Sequence, residues 1–122
     1  MRRMSSRHDV FVYGTLMRGE HHHESLAGGR FLGPAETLPQ YDLVQIDYYP
    51  ALVPGGTGKV MGELYQVDDA TLQRLDELEE VPAYYVRERI ELVDGRSAFA
   101  YLLPRERAGH GTVIDSGDFR RR

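Results

Sequence analysis

The chain contains no cysteine and no tryptophan. Without cysteine there is no disulfide framework, no thiolate nucleophile and no cysteine-ligated zinc site, which removes several enzyme classes at once. Long apolar runs are missing as well: none approaches the roughly 20 residues of a membrane helix, and the basic start Met1-Arg2-Arg3 is not followed by the apolar stretch of a secretory leader. The expectation is a soluble protein of the cytoplasm with no membrane partner. Nor is there an excess of positive charge, since 15 Lys and Arg stand against 19 Asp and Glu for a net charge of -4. That balance argues against nucleic acid as a partner, and the Arg120-Arg121-Arg122 triplet reads as a solvated end.

What is present suits one ordinary domain. A chain of 122 residues with 41% hydrophobic content buries a core without metal or disulfide staples. No repeat, low-complexity segment or linker divides residues 1–122, with residues 1–8 and 120–122 expected as loose ends. Met4 offers a second start position that would make Met1 to Arg3 an extension outside the fold.

The elements are short and mostly strands. Val10-Phe11-Val12-Tyr13 is apolar on both faces, as in a buried central strand running from Asp9 to Gly14. Strands are also expected at Arg30 to Leu38, Tyr41 to Ile46 and Lys59 to Val67, with Gly62 marking a bulge or a close backbone approach. Between them Pro50, Pro54 and Gly55-Gly56 predict a loop. Tyr84 to Val93 alternates, with Tyr84, Val86, Ile90 and Leu92 on one face and Tyr85, Arg87, Arg89 and Glu91 on the other. Asp94-Gly95 then turns the chain into a return strand, Ser97 to Leu103. One helix start is clear: Asp68 is placed to accept hydrogen bonds from the first amides, and an acidic first turn suits the helix dipole. The helix is expected to run to about Glu79, because Pro82 steers Val81 away from helical angles. Glu20 to Leu26 suits one or two helical turns, and beyond Pro104 only Thr112 to Ile114 reads as regular structure. This inventory is an α+β class, a small mixed sheet or barrel rather than a doubly wound fold.

One carboxylate interrupts an otherwise apolar pattern. Leu72, Leu75 and Leu78 form the inward stripe of the helix, and Glu79 falls about 20° from Leu72 around the axis. Held away from water there, its pKa would rise above the ordinary value of about 4.3, as a general acid and base requires. The same spacing allows a frayed last turn, with Glu79 in solvent or paired with Arg87 or Arg89. Asp76 lies on the flank of the stripe, placed as a supporting partner or loop cap, whereas Glu77 and Glu80 read as surface charge.

The first strand ends at Tyr13-Gly14-Thr15-Leu16. Gly14 permits positive φ, and with Thr15 and Leu16 it can aim several amides at one point, a cluster suited to a carboxylate. A plain turn between core elements is the alternative. His21-His22-His23 cannot close a metal site alone, because on a helix the rings diverge and on a strand only His21 and His23 share a face. A solvated loop at the rim of a pocket, with no metal, is expected. His110 reads as a loop residue between glycines, and without a G-x-S-x-G elbow Ser116 and Thr15 do not suggest a hydrolase triad.

Taken in order, several segments match one pattern: Tyr13-Gly14-Thr15-Leu16 after a short strand, Tyr49-Pro50-Ala51-Leu52-Val53, Gly62-Glu63-Leu64-Tyr65, Leu75-Asp76 followed by Glu79, then Tyr85 and Arg87, and Ser116-Gly117-Asp118-Phe119. This series resembles the gamma-glutamylcyclotransferase-like family, including its gamma-glutamylamine cyclotransferase-type proteins. The resemblance implies a small mixed β-barrel with flanking helices and a cofactor-independent enzyme acting on a small-molecule γ-glutamyl substrate. The α-amine of that substrate attacks its own side-chain carbonyl, releasing an amine and 5-oxoproline. It implies Glu79 as the catalytic residue, the amides of Gly14, Thr15 and Leu16 as the hold on the substrate carboxylate, and Tyr13 and Tyr85 as pocket walls. Two departures accompany it. Val81-Pro82-Ala83 follows Glu79-Glu80 where many relatives carry a glycine after the glutamate, and Phe119 stands where tryptophan or tyrosine is common. A non-catalytic binder of small acidic metabolites is the second reading of the same pocket.

Overall fold

A computed structural model describes residues 6–122. Its strands are β1 (Arg7–Val12), β2 (Arg30–Glu36), β3 (Tyr41–Ile46), β4 (Tyr49–Pro54), β5 (Met61–Asp68), β6 (Val86–Glu91), β7 (Ser97–Leu102) and β8 (Thr112–Val113). Two helices, α1 (Asp69–Leu78) and the single turn α2 (Arg105–Ala108), join them, with 3-10 turns at His23–Leu26 and Phe119–Arg121.

The eight strands form one mixed sheet in the order β2-β5-β1-β7-β4-β3-β8, with β6 on the other side of β7. β7 is the junction. It pairs antiparallel with β6 along its whole length, parallel with β1 at Val10↔Phe99, and parallel with β4 at Leu52↔Leu102. At the far side a bridge between Thr37 and Leu92, with the Val93 amide donating to the Glu36 carbonyl at 2.9 Å, brings the end of β2 to the end of β6. The sheet therefore curls into the barrel-like α+β form expected from the sequence. Thr37 is fully buried at this closure, and its hydroxyl oxygen accepts from the Val60 amide at 2.9 Å and donates to the Leu38 carbonyl at 2.8 Å. Its polar group is thereby satisfied.

β1 is the buried central strand that its two-sided apolar pattern predicts, with Val10 and Phe11 fully buried between β5 and β7. Gly62 marks a close approach: a Cβ there would lie 2.1 Å from the Val12 carbonyl oxygen. The α1 start is as read, the Asp68 carboxylate accepting from the Thr71 amide at 2.8 Å. Its end is a Schellman cap. The Val81 amide donates to the Asp76 carbonyl at 3.0 Å and the Glu80 amide to the Glu77 carbonyl at 3.2 Å, while Glu80 takes the left-handed φ of 54°.

Five expectations are corrected. Tyr49–Pro54 is a strand, not a loop: Ala51, Leu52 and Val53 are fully buried, and both prolines stand at strand ends where a missing donor does least harm. Leu78 is 40% exposed and leaves the helix stripe, where Thr71 joins Leu72 and Leu75 instead. Tyr85 is buried and Tyr84 half-exposed, the reverse of the expected faces, because β6 begins only at Val86 and its alternation does not reach them. Arg7 and His8 open β1 instead of belonging to a loose end, whereas Met1 to Ser5, including the proposed extension, lie outside the described residues. Arg120 is not a solvated end; its guanidinium approaches Glu20 and Glu63 at 3.4 Å each. Among the described residues no helix is long and apolar enough to cross a membrane.

Candidate active site

Where β1 ends, the chain must pass under β4, and Gly14 is what lets it do so. A Cβ at Gly14 would sit 2.3 Å from Pro50 Cγ, so only hydrogen fits. The expected positive φ is not used there; the glycine serves close approach. The turn closes with the Met17 amide on the Gly14 carbonyl at 3.0 Å. Two of the three consecutive histidines then brace it. The His22 amide donates to the Thr15 carbonyl at 2.8 Å and its ring meets the Thr15 hydroxyl at 3.1 Å, while His23 Nδ1 donates to the Leu16 carbonyl at 3.0 Å. Among the described residues, none accepts a hydrogen bond from the amides of Gly14, Thr15 or Leu16.

Gly14, Thr15 and Leu16 border a cavity of about 310 Å³. Tyr13, Gly14, Thr15, Leu16, Glu79 and Tyr85, the residues singled out from the sequence, all line it. Glu79 arrives from the C-terminal end of α1, anchored by its own amide on the Leu75 carbonyl at 2.9 Å. The side chain is part-buried, and loss of hydration raises its pKa to about 7. Neither arginine considered for an ion pair reaches it. Arg87 donates to Asp76 Oδ2 at 2.8 Å, and Arg89 lies over the Phe99 ring at 4.4 Å. Among the described residues this carboxyl has no hydrogen-bond or ion-pair partner, and it lines the same cavity as Gly14, Thr15 and Leu16.

The rest of the wall is phenolic. Tyr13 donates to the Tyr101 carbonyl at 2.6 Å, Tyr85 to the Pro50 carbonyl at 3.1 Å, and Tyr101 to Asp76 Oδ1 at 2.7 Å. Burial raises the pKa of each, and the Glu79 charge adds to each. Tyr101 has no local signal in the sequence, because an inward tyrosine on a strand such as β7 looks like any core residue. Asp76, read as a supporting partner, holds both Tyr101 and Arg87. At the rim Tyr49 stacks on the His22 ring with centroids 6.0 Å apart, and Asp47, at the turn between β3 and β4, adopts a left-handed φ of 53°. Among the described residues, no group of three or more His, Asp or Glu is placed to hold a metal ion.

Two motifs lie behind the site instead of in it. Glu63 of the G-E-L-Y segment is buried, and its carboxylate accepts from the Arg18 amide at 2.7 Å and from Tyr65 at 3.0 Å, tying down the far end of the loop. Phe119 of the late motif is buried, and Asp118 caps the last turn by accepting from the Arg120 amide at 3.0 Å.

The sequence matches the family described as gamma-glutamyl cyclotransferase, AIG2-like, over residues 10–121. It is 46% identical over 112 residues to a Vibrio cholerae protein provisionally named a gamma-glutamylcyclotransferase, covering 92% of this chain and 95% of that one. Against the gamma-glutamylcyclotransferase family protein YtfP of Escherichia coli K12 the identity is 36% over 110 residues, covering 90% and 94%. The crystal structure of an AIG2-like protein from Mus musculus aligns with a TM-score of 0.72 at 31% identity, over 79% of this chain and 76% of that one. By fold, by cavity and by these likenesses, the chain belongs to the AIG2-like gamma-glutamyl cyclotransferase family.

Proposed function

We propose that the protein is a cyclotransferase that acts on a γ-glutamyl amine or γ-glutamyl amino acid and releases 5-oxoproline and the free amine. The observation that supports this reading is the Glu79 carboxyl, without a partner among the described residues and with its pKa raised to about 7, in the same cavity as Gly14, Thr15 and Leu16, whose amides have no acceptor among those residues. The amides hold the substrate carboxylate. Glu79 takes a proton from the α-ammonium, and the amine so formed attacks the γ-carbonyl. A carbon–nitrogen bond forms within the ring as the bond to the leaving nitrogen breaks; Glu79 returns its proton to that nitrogen, and the further proton that the ring nitrogen sheds on becoming an amide leaves with the amine, which departs as an ammonium. Both reacting groups belong to one molecule, so folding the chain into ring geometry and shuttling one proton is most of the work. The reaction balances without a cofactor. Exposed Tyr48 lies next to the rim residue Tyr49, and half-exposed Tyr84 and Leu78 line the rim itself, which suits a leaving group that extends into solvent.

Glu79→Gln tests the assignment. The variant keeps the fold and loses release of 5-oxoproline from γ-glutamyl compounds by about 10²–10⁴-fold, the range that a positioned acid and base supplies. Substantial turnover would move the proton role elsewhere. Binding of γ-glutamyl compounds by the unaltered protein with no turnover of any of them would instead leave a binding site for glutamate-like metabolites.

A further inference from the structure

The two motifs that stand behind the cavity meet on one residue of the loop that borders it. Arg18 lies four residues after Gly14, and both of its main-chain polar groups are taken by side chains far along the chain. Its amide donates to Glu63 Oε1 at 2.7 Å, and its carbonyl accepts from the Arg120 guanidinium. The same guanidinium donates to Glu63 Oε2 at 3.4 Å and lies 3.4 Å from Glu20 Oε2, so one planar cation spans a carbonyl and two carboxylates. Arg120 is brought there by the turn before it. Gly117 has a left-handed φ of 69° and no room for a Cβ, which would lie 2.1 Å from the Lys59 carbonyl oxygen. Its carbonyl accepts from the Met61 amide at 2.8 Å, and Asp118 Oδ1 accepts from the Arg120 amide at 3.0 Å. The turn is thus pinned to the start of β5, and Arg120 reaches the loop from it.

We infer that Arg120 is a positioning residue for the Gly14 to Leu16 loop: by holding Arg18 from the C-terminal turn, it sets the affinity of the cavity for a ligand carboxylate. Arg120 does not line the cavity, so it acts through the loop. Two consecutive turns join Arg18 to Gly14, the Met17 amide donating to the Gly14 carbonyl at 3.0 Å and the Glu20 amide to the Met17 carbonyl at 2.9 Å. Met17 between them is buried, which leaves the segment little freedom to absorb a displacement. A shift at Arg18 is therefore passed on to the amides. The bonds from His22 and His23 hold Thr15 and Leu16, and Arg120 holds the other end of the same loop. Lysine is a poor replacement, because a compact ammonium lacks the flat fork that meets three acceptors in different directions. The inference rests on the reading of the loop amides as the carboxylate hold and deepens it.

Arg120→Ala tests this, with Arg121→Ala as its control, since the Arg121 ion pair is with Asp118 of its own turn at 3.8 Å. In calorimetric titration of the full chain with L-glutamate, Arg120→Ala binds about tenfold more weakly, the loss expected when a hydrogen bond to a charged group is misaligned, and Arg121→Ala binds as the unaltered protein does. KM for a γ-glutamyl amine rises by the same factor while kcat is unchanged, the mark of lost binding rather than lost chemistry. Amide hydrogen exchange speeds up across residues 14–20 and stays as it was in α1, a split that a general loss of stability does not produce. Unchanged L-glutamate affinity in Arg120→Ala would overturn the inference, and so would an equal loss in Arg121→Ala or no binding of L-glutamate by the unaltered protein. If Arg120→Ala does not fold, Arg120→Lys decides: it keeps the charge and should still bind L-glutamate several-fold more weakly, and full affinity there overturns the role. Weakened L-glutamate binding in Arg120→Ala, in a protein that releases no 5-oxoproline, supports the positioning role and sinks only the cyclotransferase reading. Release of 5-oxoproline with the same KM in Arg120→Ala as in the unaltered protein does the opposite.

Discussion

Arg87 spends its charge on Asp76 at 2.8 Å and not on Glu79. That pairing divides the polar groups at the end of α1 into two kinds. Asp76 is matched on both oxygens, by Arg87 and by Tyr101, and becomes part of the frame. Glu79, three residues further on, has among the described residues neither cation nor hydrogen bond to hold its charge, and desolvation raises its proton affinity. Had the guanidinium reached Glu79, the carboxyl would stay ionised far below neutrality and would return a proton poorly.

The first consequence is a stability that depends on pH with a definite sign. The folded pKa of Glu79 is raised from 4.5 to about 7. Below the unfolded value both states hold the proton and the group is silent. As pH climbs through this window the unfolded chain ionises first, so stability falls, by up to about 3 kcal/mol once both states are charged. Glu79→Gln should melt with the unaltered protein near pH 4 and above it at pH 8, as followed by thermal denaturation. A melting difference that does not change with pH would remove the desolvated carboxyl from the account.

Turnover should follow the same group. The base must be ionised to accept a proton, so kcat/KM for a γ-glutamyl amine is expected to rise tenfold per pH unit on the acid side and level off near pH 7, the value to which burial pushes Glu79. A rate still flat down to pH 5 would exclude it as the base.

Gly14→Ala addresses the loop. The added methyl would meet Pro50 Cγ at 2.3 Å, and a proline ring has few ways to yield. Overpacking of this kind destabilises by about 1–3 kcal/mol, and here it also pushes the donor amides off their line, so L-glutamate binding should fall with the melting temperature. Unchanged binding would mean that the amides do not form the carboxylate hold.

Glu80→Gly addresses the helix exit. Glu80 occupies a left-handed φ of 54° at the position after the helix cap, where a side chain costs about 1 kcal/mol and glycine little. The variant is expected to gain up to about 0.5 kcal/mol in chemical denaturation after the added flexibility of the unfolded chain is offset. A loss of stability would show that the Glu80 side chain makes a contact worth more than the strain.

What the sequence determined by itself was local. The capped start of α1, the angular place of Glu79 beside Leu72, the Asp94-Gly95 hairpin and the buried β1 follow from spacings of a few residues, where chain geometry leaves little choice. The motif series pointed to the residues that line the cavity for the same reason, since each segment is short and contiguous. Tertiary structure decided whatever depends on partners far along the chain. That Gly14 is needed for the approach of Pro50, that β4 is a strand despite its prolines, that Tyr101 shares the cavity wall, and that Arg87 goes to Asp76 are facts about β7, β4 and α1 meeting at one point. A side chain's partner is chosen by which surfaces the sheet order brings together, and the β2-β5-β1-β7-β4-β3-β8 order is not written in any one segment.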